Sequence, residues 1–474
     1  MTSKKSKICI IGAGPAGLTA AYKLSLANKD VHLYEYSSKV GGMSKTFKLW
    51  SQLVDLGPHR FFSNDPRINE FWLSVVKNKY SMVNRITRIY FNDKFFNYPL
   101  RPLNALLNLG LFNSFYCILS YVYFKLFPIK KRNDFESWVI NRFGKKLYEI
   151  FFKTYSEKLW GIKCDKLDSD FASQRIKKLS LYEAVKNSFL SKNNNHKTLV
   201  DIFAYPNLGT GYVYDRLKSM IINNGGKIYL NQGIKFIKFK NNKYEVTTSK
   251  NITKTFDSVI STMPLTNLVK NLNNTPKYVI KNLNKLYFRN TILVYLQINQ
   301  KKIFPDQWIY LHSKNLKVGR ITNFSNWNLK KNKKKNNTIL CMEYWCYDKD
   351  LIWKSNNNKI SNLAIKEIYQ TGLIKNNSVK NFKVVRIPKC YPVYFKNYKK
   401  NLKPVIKYLK KIKNLHIIGR YGSYKYNNQD HSILMGLLVA ENITNNTKHD
   451  LWSINTDYEY QEKSEITKTG LKVN

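Results

Sequence analysis

The sequence predicts an α/β fold in which a nucleotide-binding sheet is interrupted by a helical insertion and followed by an antiparallel sheet. Three observations support this. A glycine-rich turn, residues 12–17, separates an apolar strand pattern from a helix pattern. Residues 99–200 show mainly helical spacing, and residues 271–400 show mainly strands separated by Asn and Lys loops. A strand, a loop and an apolar helix return within residues 401–446. We therefore expect one domain to be built from both ends of the chain.

The N-terminal segment is predicted to form a strand, a turn, a helix and a second strand. Gly12, Gly14 and Gly17 form GxGxxG between the first strand and the helix, which is the context that dinucleotide binding requires. The glycines permit a tight turn and a close approach of the phosphates to the free amides of the helix N-terminus. Glu35 ends the second strand and is placed to accept hydrogen bonds from ribose hydroxyls. These features predict a Rossmann-like domain.

The helical insertion contains one uncharged stretch, residues 102–124, that is long enough to span a bilayer. Asn104, Asn108 and Gly110 interrupt it, and its mixed polar and apolar spacing favours packed helices instead. The flanking basic residues keep a weak peripheral contact with a membrane open as an alternative.

The composition is strongly basic. The 474 residues include 80 Lys and Arg against 30 Asp and Glu, which gives a formal net charge of +50. This charge favours an anionic partner, either a nucleotide diphosphate, an anionic membrane or a nucleic acid. Lys- and Asn-rich runs such as residues 329–337 also suggest compositional bias. Because no nucleic-acid-binding motif is present, we expect a small-molecule substrate and no nucleic acid.

Six cysteines without CxxC spacing predict reduced thiols and a cytoplasmic protein. The seven histidines form no recognisable ligand set, so no metal is expected. The sequence leaves the oligomeric state open.

Two further motifs narrow the dinucleotide to FAD. Gly41 and Gly42 shortly follow the second strand, and Gly419 and Arg420 lie between the last strand and the last apolar helix. Both pairs resemble FAD motifs of the glutathione-reductase-like and amine-oxidase-like flavoproteins. We therefore expect an FAD-binding domain from residues 1–98, 201–270 and 401–446, a helical insertion from 99–200, an antiparallel-sheet substrate domain from 271–400, and a polar tail from 447–474.

Several motifs, in chain order, resemble those of the UDP-galactopyranose mutases. They are GPHRFFSND at 57–65, KTYSEKLWGI at 153–162, TNFSNWN at 322–328, YPV at 391–393 and GRYGSYKYNNQD at 419–430. In that family, N5 of reduced FAD attacks the anomeric carbon of a nucleotide sugar and expels the diphosphate, with no net redox change. The resemblance implies the same reaction class here, in cell-surface polysaccharide biosynthesis.

The resemblance also assigns candidate residues. The catalytic candidates are His59, Arg289 and Tyr391. The candidates for cofactor binding are Gly12, Gly14, Ala16, Gly17, Glu35, Gly41, Gly42, Met43, Gly57, His59, Ile234, Gly419 and Arg420. The candidates for substrate binding are Tyr155, Trp160, Arg175, Lys178, Arg289, Tyr391 and Tyr426.

Three departures from the family pattern keep the substrate open. Phe62 replaces a second histidine, Leu179 replaces a loop arginine, and Asn427 replaces the second tyrosine of a pair. The neighbouring lysine of the loop can neutralise phosphate but lacks the bidentate fork of arginine. The competing interpretation is an oxidoreductase that resembles the amine oxidases, protoporphyrinogen oxidases and desaturases, in which hydride passes to flavin N5.

Overall fold

The computed structural model describes residues 5–63, 65–98, 100, 102–130, 133–171, 202–327, 336–455, 465–467 and 470–472. Its centre is a parallel sheet of five strands collected from distant parts of the chain. In spatial order the strands are Leu415–Ile417, Ser258–Ser261, Lys7–Ile11, Asp30–Tyr34 and Lys227–Tyr229.

The two faces of this sheet are covered by different elements, because successive side chains of a strand point to opposite faces. Ile8 and Ile10 pack in the same core as three helices, whereas Cys9 and Ile11 belong to the core on the other face. The three helices are Pro15–Leu26, Gly211–Asn223 and Gln429–Thr444. An antiparallel meander contributes to the other core, with strands Ile234–Lys240, Lys243–Thr248 and Thr253–Phe256.

A second sheet of seven strands forms the floor of the molecule's main cavity. In spatial order the strands are Val379–Pro392, Phe288–Ile298, Thr338–Cys346, Arg320–Asn323, Trp308–Leu311, Thr87–Phe91 and Lys94–Asn97. All pairs are antiparallel except Trp308–Leu311 with Thr87–Phe91, which are parallel. The last two strands come from the N-terminal segment that the sequence assigns to the FAD-binding domain, so this sheet also draws on distant parts of the chain.

The helical insertion packs beside the second sheet. Its elements are Pro102–Leu109, Leu111–Leu126, Phe135–Phe143, Lys145–Leu147, a π-helix at Tyr148–Lys153, Thr154–Trp160 and a 3₁₀ turn at Cys164–Lys166. Asp134 caps the third helix, since its side chain accepts a hydrogen bond from the backbone N–H of Ser137 at 2.8 Å. Within the part of the chain described above, no helix is long and apolar enough to cross a membrane.

The remaining elements connect these layers. The helices are Pro66–Val76, Leu265–Asn271, Lys277–Leu283, Leu351–Lys354, Asn357–Gln370, Tyr398–Leu409 and Gly419–Gly422, with a 3₁₀ turn at Phe324–Asn326. The two-stranded pairs are Thr46–Leu49 with Gln52–Asp55, Tyr80–Asn84 with Ile202–Pro206, and Glu465–Thr467 with Gly470–Lys472.

Candidate functional site

The glycine turn at the N-terminus forms a cradle in which Gly12 and Gly17 leave no room for a side chain. Gly12 has φ +98°, which disfavours other residues. A Cβ on Gly17 would lie 2.0 Å from the carbonyl oxygen of Gly12, and a Cβ on Gly42 would lie 3.0 Å from Cα of Gly14. The two glycine turns are joined directly, since Gly41 N donates to Ala13 O at 2.7 Å. The cradle therefore presents bare backbone at the start of the first helix, as a bound diphosphate requires.

Glu35 stands at the edge of this cradle and is only 4% exposed. One carboxylate oxygen accepts a hydrogen bond from Ala13 N at 2.8 Å, and the other accepts from the backbone N–H of Ser37 at 3.0 Å. Lys45 donates to the hydroxyl of Ser37 at 2.6 Å, and burial lowers the pKa of this lysine. The oxygen that accepts from Ser37 N also accepts from the hydroxyl of Ser37 at 2.6 Å. The carboxylate is thus held in one orientation, and the oxygen bound to Ala13 N keeps a lone pair for a ribose hydroxyl.

The C-terminal motif closes the cradle from the other end of the chain. A Cβ on Gly419 would lie 3.3 Å from Cβ of Ala16, and a Cβ on Gly436 would lie 2.6 Å from the carbonyl oxygen of Ala16. The last long helix therefore lies directly against the first. This contact brings Arg420 to the same cavity as the glycine turn.

A cavity of about 1060 Å³ extends from the cradle to the second sheet. Single-ligand pockets are typically about 300–1,000 Å³, so there is room for a dinucleotide and part of a substrate. The cofactor candidates that line the cavity are Gly12, Gly14, Ala16, Glu35, Gly42, Met43, His59, Ile234, Gly419 and Arg420. Gly17, Gly41 and Gly57 are absent from the lining; the first two support the turns, and Gly57 packs behind Glu343. The bare-backbone cradle, the fixed carboxylate and the volume together fit FAD.

Arg420 lies beside two of the predicted substrate residues. Its guanidinium lies 4.7 Å from the ring centre of Tyr391 and 4.3 Å from that of Tyr426, and these two rings stack at 5.4 Å. It donates to the carbonyl oxygens of Cys390 and Asn427 at 3.1 and 2.8 Å. Within the described segments, Arg420 forms no ion pair with a carboxylate.

A second guanidinium that lines the cavity, that of the partly buried Arg320, was not predicted from the sequence. It forms a bidentate ion pair with Glu343, with both N–O distances 2.7 Å. Glu343 is 2% exposed and lies in the otherwise apolar strand Thr338–Cys346. A lone acidic residue in a buried strand is the sequence signal that would have identified this pair, because such a charge needs a partner.

His59 is a neutral imidazole in this cavity. Burial lowers its pKa to about 4, and the charges of Arg320 and Arg420 act in the same direction. Its Nδ1 lies 3.1 Å from the carbonyl oxygen of Gly57, so Nδ1 carries the proton and donates it there. Nε2 then keeps a lone pair and acts as a hydrogen-bond acceptor.

Tyr155 also lines the cavity, but one face of its ring is already covered. His312 stacks on it with ring centres 4.9 Å apart. The rings of Tyr310 and Trp345 lie nearly perpendicular to the Tyr155 ring, with ring centres 5.4 and 5.7 Å from its centre. Burial lowers the pKa of His312 to about 3, so this partner is uncharged. Tyr310, in strand Trp308–Leu311, and His312, directly after it, were also not predicted from the sequence, because neither belongs to a recognisable motif.

Two predicted substrate residues are not brought to the cavity lining. Trp160 is 0% exposed and packs among Phe171 and Tyr394. Arg289 is 4% exposed and donates to the carbonyl oxygens of Lys158 and Leu159, at the C-terminal end of helix Thr154–Trp160. Burial lowers the pKa of Arg289. Both residues hold the helix that carries Tyr155 in place.

The three departures from the mutase pattern fall in different places. Phe62 and Asn427 line the cavity, and Phe62 packs against Arg60 at 4.5 Å. Arg175, Lys178 and Leu179 lie outside the described residues. The residue roles assigned from the sequence remain predictions.

The described lining of the cavity is strongly cationic. Seven basic side chains line it, against two carboxylates, Glu35 and Glu343. The basic residues are Lys45, Arg60, Arg85, Arg320, Arg386, Lys389 and Arg420. A single diphosphate would leave much of this charge uncompensated, so the cavity is suited to more than one anionic group.

The sequence matches a model of a known protein family over most of its length. The model for flavin containing amine oxidoreductase matches residues 15–443. Among curated proteins, the L-amino-acid oxidase of Crotalus adamanteus is 32% identical over 115 residues. That match spans 21% of this chain and 22% of the oxidase, so the chain covers about a fifth of this relative's length.

Solved structures match over nearly the whole chain. A reduced UDP-galactopyranose mutase superposes with a TM-score of 0.82 at 22% identity, covering 96% of this chain and 100% of the mutase. A protoporphyrinogen oxidase-like protein of Exiguobacterium sp. 255-15 superposes with a TM-score of 0.72 at 16% identity. This match covers 94% of this chain and 100% of that protein. A putrescine oxidase variant superposes with a TM-score of 0.65 at 13% identity, and the match covers 94% of this chain and 99% of the oxidase.

These similarities confirm the predicted resemblance, the predicted fold class and FAD as the cofactor. At these identities the solved structures establish the fold. The family match begins at Pro15, the first residue of the first helix, and runs through the insertion and the second sheet to residue 443. The chain therefore belongs to the flavin containing amine oxidoreductase family and is an FAD-dependent enzyme.

Proposed function

We propose that this flavoenzyme acts on a nucleotide sugar whose diphosphate binds beside Arg420. The observation that carries the proposal is a partly buried guanidinium without a carboxylate partner in the described segments, in a lining with seven basic and two acidic residues. A buried cation without a counter-charge is unfavourable, so an anionic ligand at this end would stabilise it. Arginine is also suited to phosphate, because its planar fork can bind two oxygens.

The neighbouring side chains supply hydrogen bonds. Burial, together with the neighbouring Tyr426, raises the pKa of Tyr391 well above its ordinary value, so its hydroxyl stays protonated and can donate to a phosphate oxygen. His59 is neutral and offers an acceptor to a sugar hydroxyl. Bound FAD would supply an N5 atom that serves as a nucleophile when reduced or as a hydride acceptor when oxidised.

The cellular setting belongs to the same proposal. A reaction on nucleotide sugars would place the enzyme in cell-surface polysaccharide biosynthesis. A cytoplasmic location is supported by the cysteines, all six of which are free and buried.

Nucleotide binding can be tested on FAD-loaded protein by thermal shift and by the flavin absorbance spectrum. We expect UDP to bind at least tenfold more tightly than uridine, because only UDP carries the diphosphate. Arg420→Met should lose at least tenfold in UDP affinity. Arg386→Met is the matched control, since its guanidinium is already bound to Ser355 and Asn357. Equal affinity for UDP and uridine would contradict the proposal.

Turnover should then be measured under anaerobic conditions after dithionite reduction. Incubation with UDP-galactopyranose and other UDP-sugars, followed by chromatography, should reveal an isomeric nucleotide sugar without consumption of reductant. If no UDP-sugar binds or is converted, the nucleotide-sugar assignment is wrong.

A second candidate is an oxidoreductase that removes hydride from an apolar or amine substrate. One arm of the cavity favours it, since this arm is lined by apolar residues of the helical insertion, including Ala105, Phe143, Leu147, Phe151 and Phe152. This candidate requires substrate-dependent bleaching of oxidised flavin and oxygen uptake. Amines, amino acids and isoprenoid lipids are the compounds to screen, with the UDP-sugar panel as the reference.

A further inference from the structure

One helix of the insertion presents its large apolar side chains to solvent. We call Leu111–Leu126 the outward helix. Its exposed residues include Leu111 at 90%, Phe112 at 85%, Phe115 at 60%, Ile118 at 50% and Leu126 at 68%. Its fully buried residues are small, Ser114 and Cys117. Helices on protein surfaces normally show the reverse pattern, so this outer face is suited to a non-aqueous environment.

The outward helix is firmly seated on the protein despite its apolar exterior. A Cβ on Gly144 would lie 2.7 Å from the backbone nitrogen of Tyr121, so the two backbones are in close contact. The hydroxyl of Ser120 accepts a hydrogen bond from the backbone N–H of Lys146 at 3.2 Å. The neighbouring helix Pro102–Leu109 adds Leu107, which is 81% exposed. The apolar face is therefore a fixed surface of the fold.

The charge around this face is uniformly positive along the segment that carries it. Residues 94–133 contain six basic residues and no Asp or Glu. Lys94, Lys125 and Lys130 are exposed in the described part. The adjoining turn adds exposed Lys145 and one exposed carboxylate, Glu149. A second copy of the chain packed on this face would bring lysines of both copies together, which is unfavourable. An anionic surface would instead neutralise them.

We propose that the outward helix docks this enzyme on a bilayer surface that contains anionic phospholipid. Its Phe and Leu side chains would enter the headgroup region, while Lys125 and Lys130 would contact lipid phosphates. Docking in the plane of the interface agrees with the length of the helix, 16 residues, which is too short to cross the bilayer. Ala105 of the neighbouring helix also lines the apolar arm of the cavity, so the docked surface and the cavity share one helix. The proposal is independent of the substrate.

The test is co-sedimentation of FAD-loaded protein with phosphatidylcholine vesicles, with and without phosphatidylglycerol. We expect binding to the mixed vesicles and at least tenfold weaker partitioning for Phe112→Ser/Phe115→Ser. That variant keeps every charge, so its loss cannot come from the overall charge of the protein. Leu351→Ser is the matched control, because Leu351 is 84% exposed and lies elsewhere. The flavin content and melting temperature of both variants should match those of the wild type, since the residues are exposed.

The basic residues are tested by a charge-reversal pair. Lys125→Glu/Lys130→Glu should weaken binding to mixed vesicles at least tenfold more than Lys281→Glu/Lys285→Glu, which reverses two exposed charges elsewhere. Equal losses would overturn the proposal, and so would unchanged binding of Phe112→Ser/Phe115→Ser. A different result is that the protein fails to bind vesicles and forms a dimer in sedimentation velocity that Phe112→Ser/Phe115→Ser converts to a monomer. That result would overturn the proposal and assign the face to a second copy of the chain.

Discussion

The two ends of the cavity are built in different ways. The cofactor end is made of backbone: glycine turns approach each other closely, and one carboxylate borders them. The other end is made of side chains from separate strands and helices, including Tyr155, Arg320, Glu343 and Arg420. A backbone site needs particular residues at fixed spacing, whereas a side-chain site needs only that distant positions meet. The first kind of site leaves a local signature in the sequence, and the second does not.

The largest expected effect is at the backbone end. Gly17→Ala places a Cβ 2.0 Å from the carbonyl oxygen of Gly12, and backbone cannot move aside as a side chain can. We expect at least about 4 kcal/mol of destabilisation, which is exceptional for one methyl group, together with loss of bound FAD. The ratio of flavin absorbance to protein absorbance measures the loss.

Gly225→Ala is the control for backbone strain. Gly225 has φ +82°, and no heavy atom lies within 4 Å of the position that a Cβ would take there. Alanine at this position should therefore reduce stability by only about 1 kcal/mol. FAD retention equal in both variants would show that the cradle tolerates a side chain.

At the side-chain end, Glu343→Gln should leave Arg320 buried without its counter-charge. We expect a loss of about 3 kcal/mol in the free energy of unfolding, as for other buried ion pairs that lose one partner. Chemical denaturation measures it. The double variant Arg320→Met/Glu343→Leu should recover most of the loss, because it removes both charges. If Glu343→Gln were as stable as the wild type, the ion pair between Arg320 and Glu343 would not be desolvated.

The buried histidine at this end should make stability depend on pH. The pKa of His312 is lowered to about 3 when folded, whereas the unfolded chain has an ordinary pKa near 6.5. The unfolded state therefore binds more protons, and stability falls as the pH drops from about 6.5 towards 3. His312→Gln should reduce that loss of stability by about 2 to 3 kcal/mol between pH 7 and pH 4.

The smallest effect is expected at Glu35. Glu35→Gln keeps the side-chain shape and one of the two acceptor oxygens, so it can keep the hydrogen bond from Ala13 N or that from Ser37 N, but not both. The affinity for FAD should fall about tenfold, or about 1.4 kcal/mol, because hydrogen bonds to a charged acceptor are stronger than those to an amide. Titration of apoprotein with FAD measures the change. If Glu35→Gln reduced FAD binding as much as Gly17→Ala does, the cofactor end would depend on a side chain as strongly as the other end of the cavity.

This contrast also explains how far the sequence could be interpreted. The cradle, the insertion and the second sheet follow from glycine spacing and from hydrophobic periodicity. The sequence did not show that strands Thr87–Phe91 and Lys94–Asn97 join the second sheet, because pairing between distant strands has no local signal. Arg320 and His312 were missed for the same reason. Arg289 lies in a recognisable motif, but the end of a neighbouring helix binds its guanidinium.

The contact of Gly436 with Ala16 has a consequence for synthesis of the protein. The first helix, Pro15–Leu26, is synthesised long before its packing partner, Gln429–Thr444. Until then, the apolar surface that the last helix covers stays open, and contacts of such long sequence separation form slowly. FAD can therefore be held tightly only after helix Gln429–Thr444 has been translated, and a nascent chain that ends before Gln429 should remain without flavin.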